Sequence, residues 1–158
     1  MLVDSKRPFI GVSVFLILSL TGIITYQQYL QFTEKNIITV YTGAGTVKIR
    51  VEYAITLEER QKGLMNRSSL NKKSGMLFVF PEEKNQNFWM KNVLIPLDMI
   101  FISSNGRINE IATLNPCYED PCPVYNSKNP ARYVIEVNAD STERWKILEG
   151  DILEINGF

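Results

Sequence analysis

The chain of 158 residues contains no histidine. This absence excludes Ser-His-Asp and Cys-His catalysis within the chain, because both arrangements use an imidazole as the base. It also removes the commonest metal ligand of proteins and any imidazole switch at physiological pH. The chain has only two cysteines, too few for a four-cysteine zinc site. We therefore expect no metal and no cofactor.

An excess of charge of either sign is also absent. The chain has 17 basic and 17 acidic residues. Residues 1–35 hold three of the basic and two of the acidic residues, which leaves the remainder with a net charge of −1. Affinity for nucleic acid depends on neutralising phosphates with lysine and arginine, so no nucleic-acid partner is expected. Hydrophobic residues make up 45% of the chain, enough for a folded core.

A long apolar segment lies near the N-terminus. Residues 8–26 carry no charge, and Lys6 and Arg7 come directly before them. With a rise of about 1.5 Å per residue, a helix of this length nearly spans a hydrocarbon core of roughly 30 Å. The preceding positive charges favour a cytoplasmic N-terminus. The segment predicts an uncleaved signal anchor that crosses the inner (cytoplasmic) membrane once and leaves the C-terminal domain in the periplasm or extracellular space.

Two other interpretations of residues 8–26 stay open at this point. A cleaved signal peptide needs small residues before its cleavage site, but residues 27–32 are bulky and offer no such pattern. A buried helix of a soluble protein is the other alternative. The anchor interpretation divides the chain into a cytoplasmic N-terminus (1–7), the anchor (8–26), a polar tether (27–36) and an exported β-rich domain (37–158).

The two cysteines, Cys117 and Cys122, lie in a loop rich in proline. Export would carry them into an oxidising compartment, where disulfides persist. We expect a structural disulfide, whose short closed loop stabilises the fold by about 2 kcal/mol in the chain-entropy model. A redox-active thiol pair, or metal ligation with help from Glu119 or Asp120, are the alternatives.

Strand signals dominate the exported part. β-branched residues on both sides of Gly43-Ala44-Gly45 predict a hairpin, and the Asn105-Gly106 pair predicts another. Thr56 and Glu59 have the spacing of a capping box, which predicts a short helix to about residue 65. Further strands are expected at 76–80 (ended by Pro81), 87–91, 132–138 and 151–155, and a second helix capped by Asp140 and Glu143 is expected to end near residue 148. The fold class is α+β and mainly β, a compact barrel or sandwich of short strands with two short helices.

Several segments of the exported part match the sequence pattern of one family in order and spacing. They are GLMNRSSL, GMLFVFP, FWMKNVLIPLDMIFI, NPCYEDPCPVY, ARYVIEVNAD and EGDILEI. Together they resemble the bacterial and archaeal family named domain of unknown function 192, over about residues 46–156. The resemblance implies a compact β-rich domain that frequently follows an export signal. It implies no reaction.

The candidate ligand-binding residues lie in the densest part of this pattern. Trp89, Lys91 and Asn92 offer an aromatic and polar surface that suits a sugar, a peptide or another ligand. The alternative is an ordinary strand with Trp89 or Met90 packed inside and Lys91 in solvent.

Asp98 lies within an apolar stretch, where a buried carboxylate needs a partner. Arg67 is the expected partner in a structural pair. A ligand-binding role for both residues, or a catalytic role for Asp98, stays open. Glu136 lies in another apolar stretch, and Asp98 and Glu136 are the only pair we consider for the two carboxylates of a glycoside hydrolase.

Three functions follow from these patterns. The leading hypothesis is a non-enzymatic, membrane-anchored module that binds a ligand or a protein partner in the cell envelope. The alternatives are an envelope enzyme that acts on glycans through Asp98 and Glu136, and a structural or assembly protein without a ligand.

Overall fold

The computed structural model describes residues 22–23 and 36–155. The chain divides into two units, residues 1–35 and 36–158. In the first unit only Gly22 and Ile23 are described, and both are helical. The predicted anchor at 8–26 and tether at 27–36 therefore lie almost entirely outside the described residues. No helix within 22–23 and 36–155 has the length and hydropathy needed to cross a membrane.

The second unit is mainly β. Its elements, in chain order, are β1 (Ile37–Thr42), β2 (Gly45–Ala54), α1 (Leu57–Lys62), β3 (Ser74–Lys84), β4 (Asn87–Trp89), β5 (Leu97–Ile102), β6 (Ile108–Leu114), β7 (Val124–Asn126), β8 (Ala131–Asn138), α2 (Ser141–Trp145) and β9 (Ile152–Ile155). Seven strands form one sheet in the order β6-β5-β8-β3-β2-β1-β9, and β4 pairs with β7. Neighbouring strands run antiparallel, except for the parallel pair β2–β3.

The sheet curls into a half-barrel, and its edge strands approach each other near the Asn105-Gly106 turn. An isolated bridge joins Arg107 to Ile152. The Leu153 N–H donates to the Gly106 carbonyl at 2.7 Å. Gly106 has a φ of +84°, and a Cβ on it would lie 2.5 Å from the Leu153 carbonyl oxygen, so this contact requires glycine. The expected mainly β class with two short helices is confirmed.

Each face of the sheet carries its own buried cluster. The α2 face, beside helix α2, packs Ile38, Val40, Ile49, Val51, Leu77, Ile100, Ile102, Ile108, Ile135, Val137, Ile147 and Leu153. The α1 face, beside helix α1 and strand β4, packs Ala54, Leu64, Met76, Phe78, Phe88, Met90, Val93, Leu97, Met99, Phe101, Ala131 and Val134. Side chains alternate between the faces along each strand. Strand β8 therefore contributes to both clusters, because the sheet is covered on both sides.

Most local predictions are confirmed. Strands β1 and β2 form the first hairpin and β5 and β6 the second. The capping box of α1 is present: the Thr56 hydroxyl accepts from the Glu59 N–H at 3.2 Å, and the Glu59 carboxylate accepts from the Thr56 N–H at 2.8 Å. The Cys117–Cys122 disulfide is also present.

Both helices end about three residues before the expected positions, α1 at Lys62 and α2 at Trp145. Two strand ends and one short strand also differ from expectation. Strand β3 continues through Pro81 to Lys84, because its pairing with β8 shifts register between Val79 and Lys84 and needs no donor at the proline. Strand β4 ends at Trp89 because the next residues turn, with the Val93 N–H donating to the Met90 carbonyl at 3.2 Å. Strand β7 is only three residues long and was not predicted.

The cap of α2 was also predicted wrongly. The helix exists, but Asp140 at its N-cap has a φ of +61° and makes no side-chain cap bond. The carboxylate that meets the first turn comes instead from Asp98 in β5, which accepts from the Thr142 N–H at 3.0 Å. A residue distant in sequence thus replaces the local cap.

Candidate functional site

The expected pair of Arg67 and Asp98 is wrong. The Arg67 guanidinium makes two hydrogen bonds to the carboxylate of Glu52, at 2.5 and 2.6 Å. These bonds hold the pKa of Glu52 below its usual range. Glu52 lies opposite Met76 on the α1 face, whereas Asp98 is on the α2 face, so the sheet itself separates Arg67 from Asp98.

Asp98 is fully buried and fully bonded. One carboxylate oxygen accepts from the Thr113 hydroxyl at 2.7 Å. The other accepts from the N–H and the hydroxyl of Thr142, at 3.0 and 2.8 Å. These three hydrogen bonds join β5 to β6 and α2. This arrangement assigns Asp98 a structural role.

Glu136 is buried in a different way. It is only 5% exposed, and its Oε2 atom has no hydrogen-bond partner. Met76 and Met99 lie opposite it on the neighbouring strands β3 and β5. Burial raises the pKa of the Glu136 carboxyl to about 8, because an apolar environment disfavours the charged form. At neutral pH this carboxyl is therefore mostly uncharged.

Asp98 and Glu136 do not converge on one cleft. In the pairing of β5 with β8, Asp98 lies opposite Val137 and Met99 lies opposite Glu136. Adjacent positions on a strand point to opposite faces, so the two carboxyls lie on opposite sides of the sheet. Glycoside hydrolysis requires both carboxyls to flank the same bond, and this placement does not supply that geometry.

A cavity of about 290 Å³ lies beside Glu136, between α1 and the sheet. Its walls include the apolar side chains of Leu64, Phe78 and Phe88. Gly63 ends α1 with a φ of +47°, and a Cβ on it would lie 3.2 Å from the Phe78 ring. Glycine at this position lets the chain leave the helix close to the wall of the cavity.

Arg60 holds α1 against this wall. Its guanidinium donates to the Val79 carbonyl at 3.0 Å and to the Ile55 carbonyl. It also lies 5.3 Å from the ring centre of Phe80. These contacts join the rim of the cavity to β3. The positive charge of Arg60 is directed toward two backbone carbonyls.

A second, wider cleft of about 510 Å³ lies between strands β4 and β7 and the disulfide loop. Trp89 is 47% exposed and lines both this cleft and the cavity beside Glu136. Tyr118, between the two cysteines, is 87% exposed and lines the opposite wall. The Lys91 ammonium lies 5.6 Å from the Trp89 ring centre, within the range of a cation–π contact, and 3.9 Å from the Asp120 carboxylate.

The structure thus places Trp89 and Lys91 together at the surface, while Met90 between them is buried. Asn92 has a different part. It has a φ of +58°, and its carbonyl accepts from the Asn66 N–H at 2.8 Å, so it is a turn residue that links two loops. Among the described residues, the linings of the two cavities do not include Asn92.

Sequence reasoning missed the residues that build the wall of the wider cleft. The Tyr125 ring stacks on Phe101 with ring centres 5.8 Å apart, and its hydroxyl donates to Glu110. Burial, together with the bond to Glu110, raises the pKa of Tyr125 to about 12. Glu110 also accepts from the Lys128 N–H at 2.7 Å. No local motif marks these residues, because their contacts join strands far apart in sequence.

No cluster of three or more acidic or cysteine side chains in residues 22–23 and 36–155 is placed to hold a metal ion. Fold and site together define a β-rich half-barrel domain with an aromatic cleft and a cavity containing one buried carboxyl.

Comparison with known proteins identifies the family. The chain belongs to the domain of unknown function 192 family (DUF192), described as Uncharacterized ACR, whose model matches residues 39–155. The resemblance seen in the sequence is thereby confirmed. The UPF0127 protein PF1050 of Pyrococcus furiosus is 29% identical over 117 residues, which cover 73% of this chain and 94% of that protein.

Two solved structures share the fold. A Sinorhizobium meliloti protein, named as a proposed transcription regulator, is 37% identical with a TM-score of 0.70, over 75% of this chain and 91% of its own. A Novosphingobium aromaticivorans protein of unknown function is 35% identical with a TM-score of 0.69, over 75% of this chain and 83% of its own. The match covers most of the Sinorhizobium chain.

Proposed function

We propose that the protein is a membrane-anchored binding module of the cell envelope, and that the cleft beside Trp89 binds a saccharide. The observation that carries this proposal is the half-exposed indole ring in the wall of a 510 Å³ cleft. An aromatic ring in the wall of a cleft offers a flat apolar face on which a ligand can stack. Ligand sites combine apolar walls with a few polar groups in this way.

The polar groups around the indole suit hydroxyl groups. Asn115 and Glu119 line the same cleft, and each offers oxygen acceptors to a sugar hydroxyl. Lys91 does not line the cleft, but its ammonium contacts the Trp89 ring and so places donors beside the indole. A pyranose ring has one apolar face for the indole and hydroxyls around its rim for these groups, which is why we favour it over a peptide.

The test is titration of the domain with a panel of envelope oligosaccharides, followed by indole fluorescence and NMR. Trp89→Ala should weaken saccharide binding at least about tenfold, which corresponds to about 1.4 kcal/mol. Leu94→Ala is the matched control, since Leu94 is 50% exposed but is not among the residues that line the cleft. Equal binding by the wild type and the Trp89 variant would contradict the proposal.

The membrane anchor at residues 8–26 is part of the same proposal. Its support is the uncharged apolar run after Lys6 and Arg7. A high-pH carbonate wash should leave the full-length chain in the membrane fraction, and protease added to the outside should digest the domain. Release of the intact chain by the wash would contradict the anchor.

The name of the Sinorhizobium relative raises transcription regulation as another function. Regulation through nucleic acid draws no support from this chain, because residues 36–158 carry a net charge of −1. We therefore do not extend that function to it.

A further inference from the structure

The cavity beneath α1 combines apolar walls with a basic rim. Leu64 and Phe78 are among the apolar residues that line it. Arg60 and Lys62, both in α1, are the basic residues of the lining. Glu136 is its acidic residue, and burial raises the pKa of this carboxyl to about 8, so it is mostly uncharged at neutral pH. The lining therefore carries a net positive charge.

Arg60 is fixed in position but does not use all its donors. Its Nη1 donates to the backbone carbonyls of Ile55 and Val79, and the guanidinium lies 5.3 Å from the ring centre of Phe80. A guanidinium has five N–H donors, and Nη1 supplies two of them. The others, on Nε and Nη2, have no hydrogen-bond partner among the described residues.

These remaining donors are open to solvent. Among the described residues, the unbonded side-chain atoms sealed from solvent are Arg132 Nε and Glu136 Oε2, and no atom of Arg60 is among them. The carboxylate of the neighbouring Glu59 accepts from the backbone N–H groups of α1's first turn rather than from the guanidinium. Arg60 can therefore donate to a ligand in the cavity while its contacts with the protein stay in place.

The shape of the guanidinium favours one kind of anion. Two parallel N–H groups of an arginine match the two oxygens of a carboxylate, and such charge-assisted pairs are stronger than bonds between neutral groups. An uncharged head group at Arg60 lacks this charge assistance. An ammonium head group would meet the positive charges of Arg60 and Lys62.

The volume of the cavity limits the rest of the ligand. An apolar cavity of about 150 Å³ holds one benzene ring. The cavity beneath α1, at about 290 Å³, therefore has room for one ring or a short chain together with a small head group. The apolar body of such a molecule can be buried against Phe78 and Phe88 while its head group stays at the rim.

We infer that the cavity beneath α1 binds a small monocarboxylate with an apolar body, whose carboxylate accepts two hydrogen bonds from the Arg60 guanidinium. Lys62 adds a second positive charge at the rim. The inference does not rest on saccharide binding in the wider cleft.

Benzoate, benzamide and benzylammonium are matched probes, since they share a ring and differ in the charge of the head group. The full-length chain in lipid nanodiscs, labelled with ¹³C at the methionine methyls, would be titrated with each probe at neutral pH. Met65 lines the cavity and Met90 lines the wider cleft, so their methyl signals report the two sites separately. Benzoate should shift the Met65 signal, with a Kd at least about tenfold lower than that of either other probe.

Variants of the rim then test the assigned head-group contact. Arg60→Gln should raise the Kd of benzoate at least about tenfold, and Arg60→Lys, which keeps the charge but lacks the two parallel donors, about threefold. Lys62→Gln should raise it about twofold, because Lys62 is exposed. Arg50→Gln, at an exposed arginine outside the cavity, is the control and should leave the Kd unchanged. Thermal unfolding verifies the fold of each variant.

The comparison of the three probes on the unaltered chain decides the matter even if an Arg60 variant fails to fold. The inference is overturned by the absence of a Met65 shift with benzoate, by a shift confined to Met90, or by equal or tighter binding of benzamide or benzylammonium. An unchanged Kd in a folded Arg60→Gln variant would also overturn it. Failure of every saccharide to bind, with benzoate still preferred and dependent on Arg60, would contradict the proposed function and support this inference.

Discussion

Asp98 and Glu136 are two buried carboxyls on neighbouring strands, one position apart in the pairing of β5 with β8. Asp98 faces α2 and accepts three hydrogen bonds from Thr113 and Thr142. Glu136 faces α1, lies opposite two methionines, and leaves Oε2 without a partner. The two carboxyls are almost equally buried, but Asp98 accepts three hydrogen bonds whereas Glu136 leaves Oε2 unbonded.

The difference shows that burial alone does not determine how a carboxyl of this sheet is hydrogen-bonded. Glu110 supports this view, since it is also buried and its carboxylate accepts from Tyr125, Lys128 and Asn129. A carboxyl with all its bonds made within the protein stabilises the fold. A carboxyl with a sealed and unbonded atom, such as that of Glu136, instead has its pKa raised by burial.

The largest expected effect is on the bonded carboxyl. Asp98→Ala should lower the free energy of unfolding by about 3–5 kcal/mol, because it leaves the Thr142 N–H and two hydroxyls without their acceptor. Thr113→Val removes only one of the three bonds and should cost about 1–2 kcal/mol. Urea unfolding at pH 7 measures both. A loss below about 1 kcal/mol for Asp98→Ala would break the comparison.

The second effect concerns Glu136 and depends on pH. Its folded-state pKa of about 8 exceeds the ordinary value of 4.5, so the folded state retains a proton that the unfolded state releases. Stability from this group is complete at low pH and is lost as pH rises from about 4.5 toward 8. Glutamine has no proton to lose, so the advantage of Glu136→Gln over the wild type should grow by about 1.4 kcal/mol per pH unit between pH 5 and pH 7.5.

Urea unfolding of wild type and Glu136→Gln at several pH values measures this advantage, and other titrating groups cancel in the difference. A difference that stays constant with pH would show that Glu136 is ionised in the folded protein.

The third prediction tests whether the cavity beside Glu136 and the wider cleft are independent of each other. Replacing both Cys117 and Cys122 by serine should cost about 2 kcal/mol, because the unfolded chain regains the freedom of a short loop. The disulfide lines the Trp89 cleft but not the cavity beside Glu136. The pH-dependent advantage of Glu136→Gln should therefore be the same in the serine background, and a changed slope would mean that the two sites are coupled.

The smallest effect is at the surface pair of Arg67 and Glu52. Glu52→Gln should cost about 0.2–1 kcal/mol, since exposed ion pairs gain little over solvation by water. Because Arg67 holds the pKa of Glu52 below its usual range, the contribution is present above that range and is lost in acid. Urea unfolding in low and high salt measures the contribution of the pair to the free energy of unfolding. A loss for Glu52→Gln close to the loss for Asp98→Ala would contradict the expected order of effects.

Much of the fold was predictable because its signals are local. The Gly43–Gly45 and Asn105-Gly106 turns, the capping box at Thr56 and the spacing of the cysteines each act over a few residues. Strand β7 was missed because three residues provide too short a pattern. The matching family covers residues 39–155, which explains why the β-rich class was accessible before the structure.

The site was only partly predictable, because its contacts depend on strand pairing. Trp89 and Lys91 lie together at the surface and Met90 is buried, and a binding role for the two stays a prediction. Alternation in β8 shows that Glu136 and Val137 face opposite ways, but only the register against β5 and β3 shows what each one meets. The same register explains why Arg67 pairs with Glu52 rather than Asp98.

The charge of Glu136 at neutral pH underlies the comparison with Asp98. A pH titration of the side-chain carboxyl carbon of Glu136 by ¹³C NMR measures it directly, with the signal assigned by Glu136→Gln. The expected midpoint is near pH 8, the raised pKa that follows from burial. A midpoint near the ordinary value of 4.5 would show an ionised carboxylate with an undetected partner, and would contradict the distinction drawn between the two buried carboxyls.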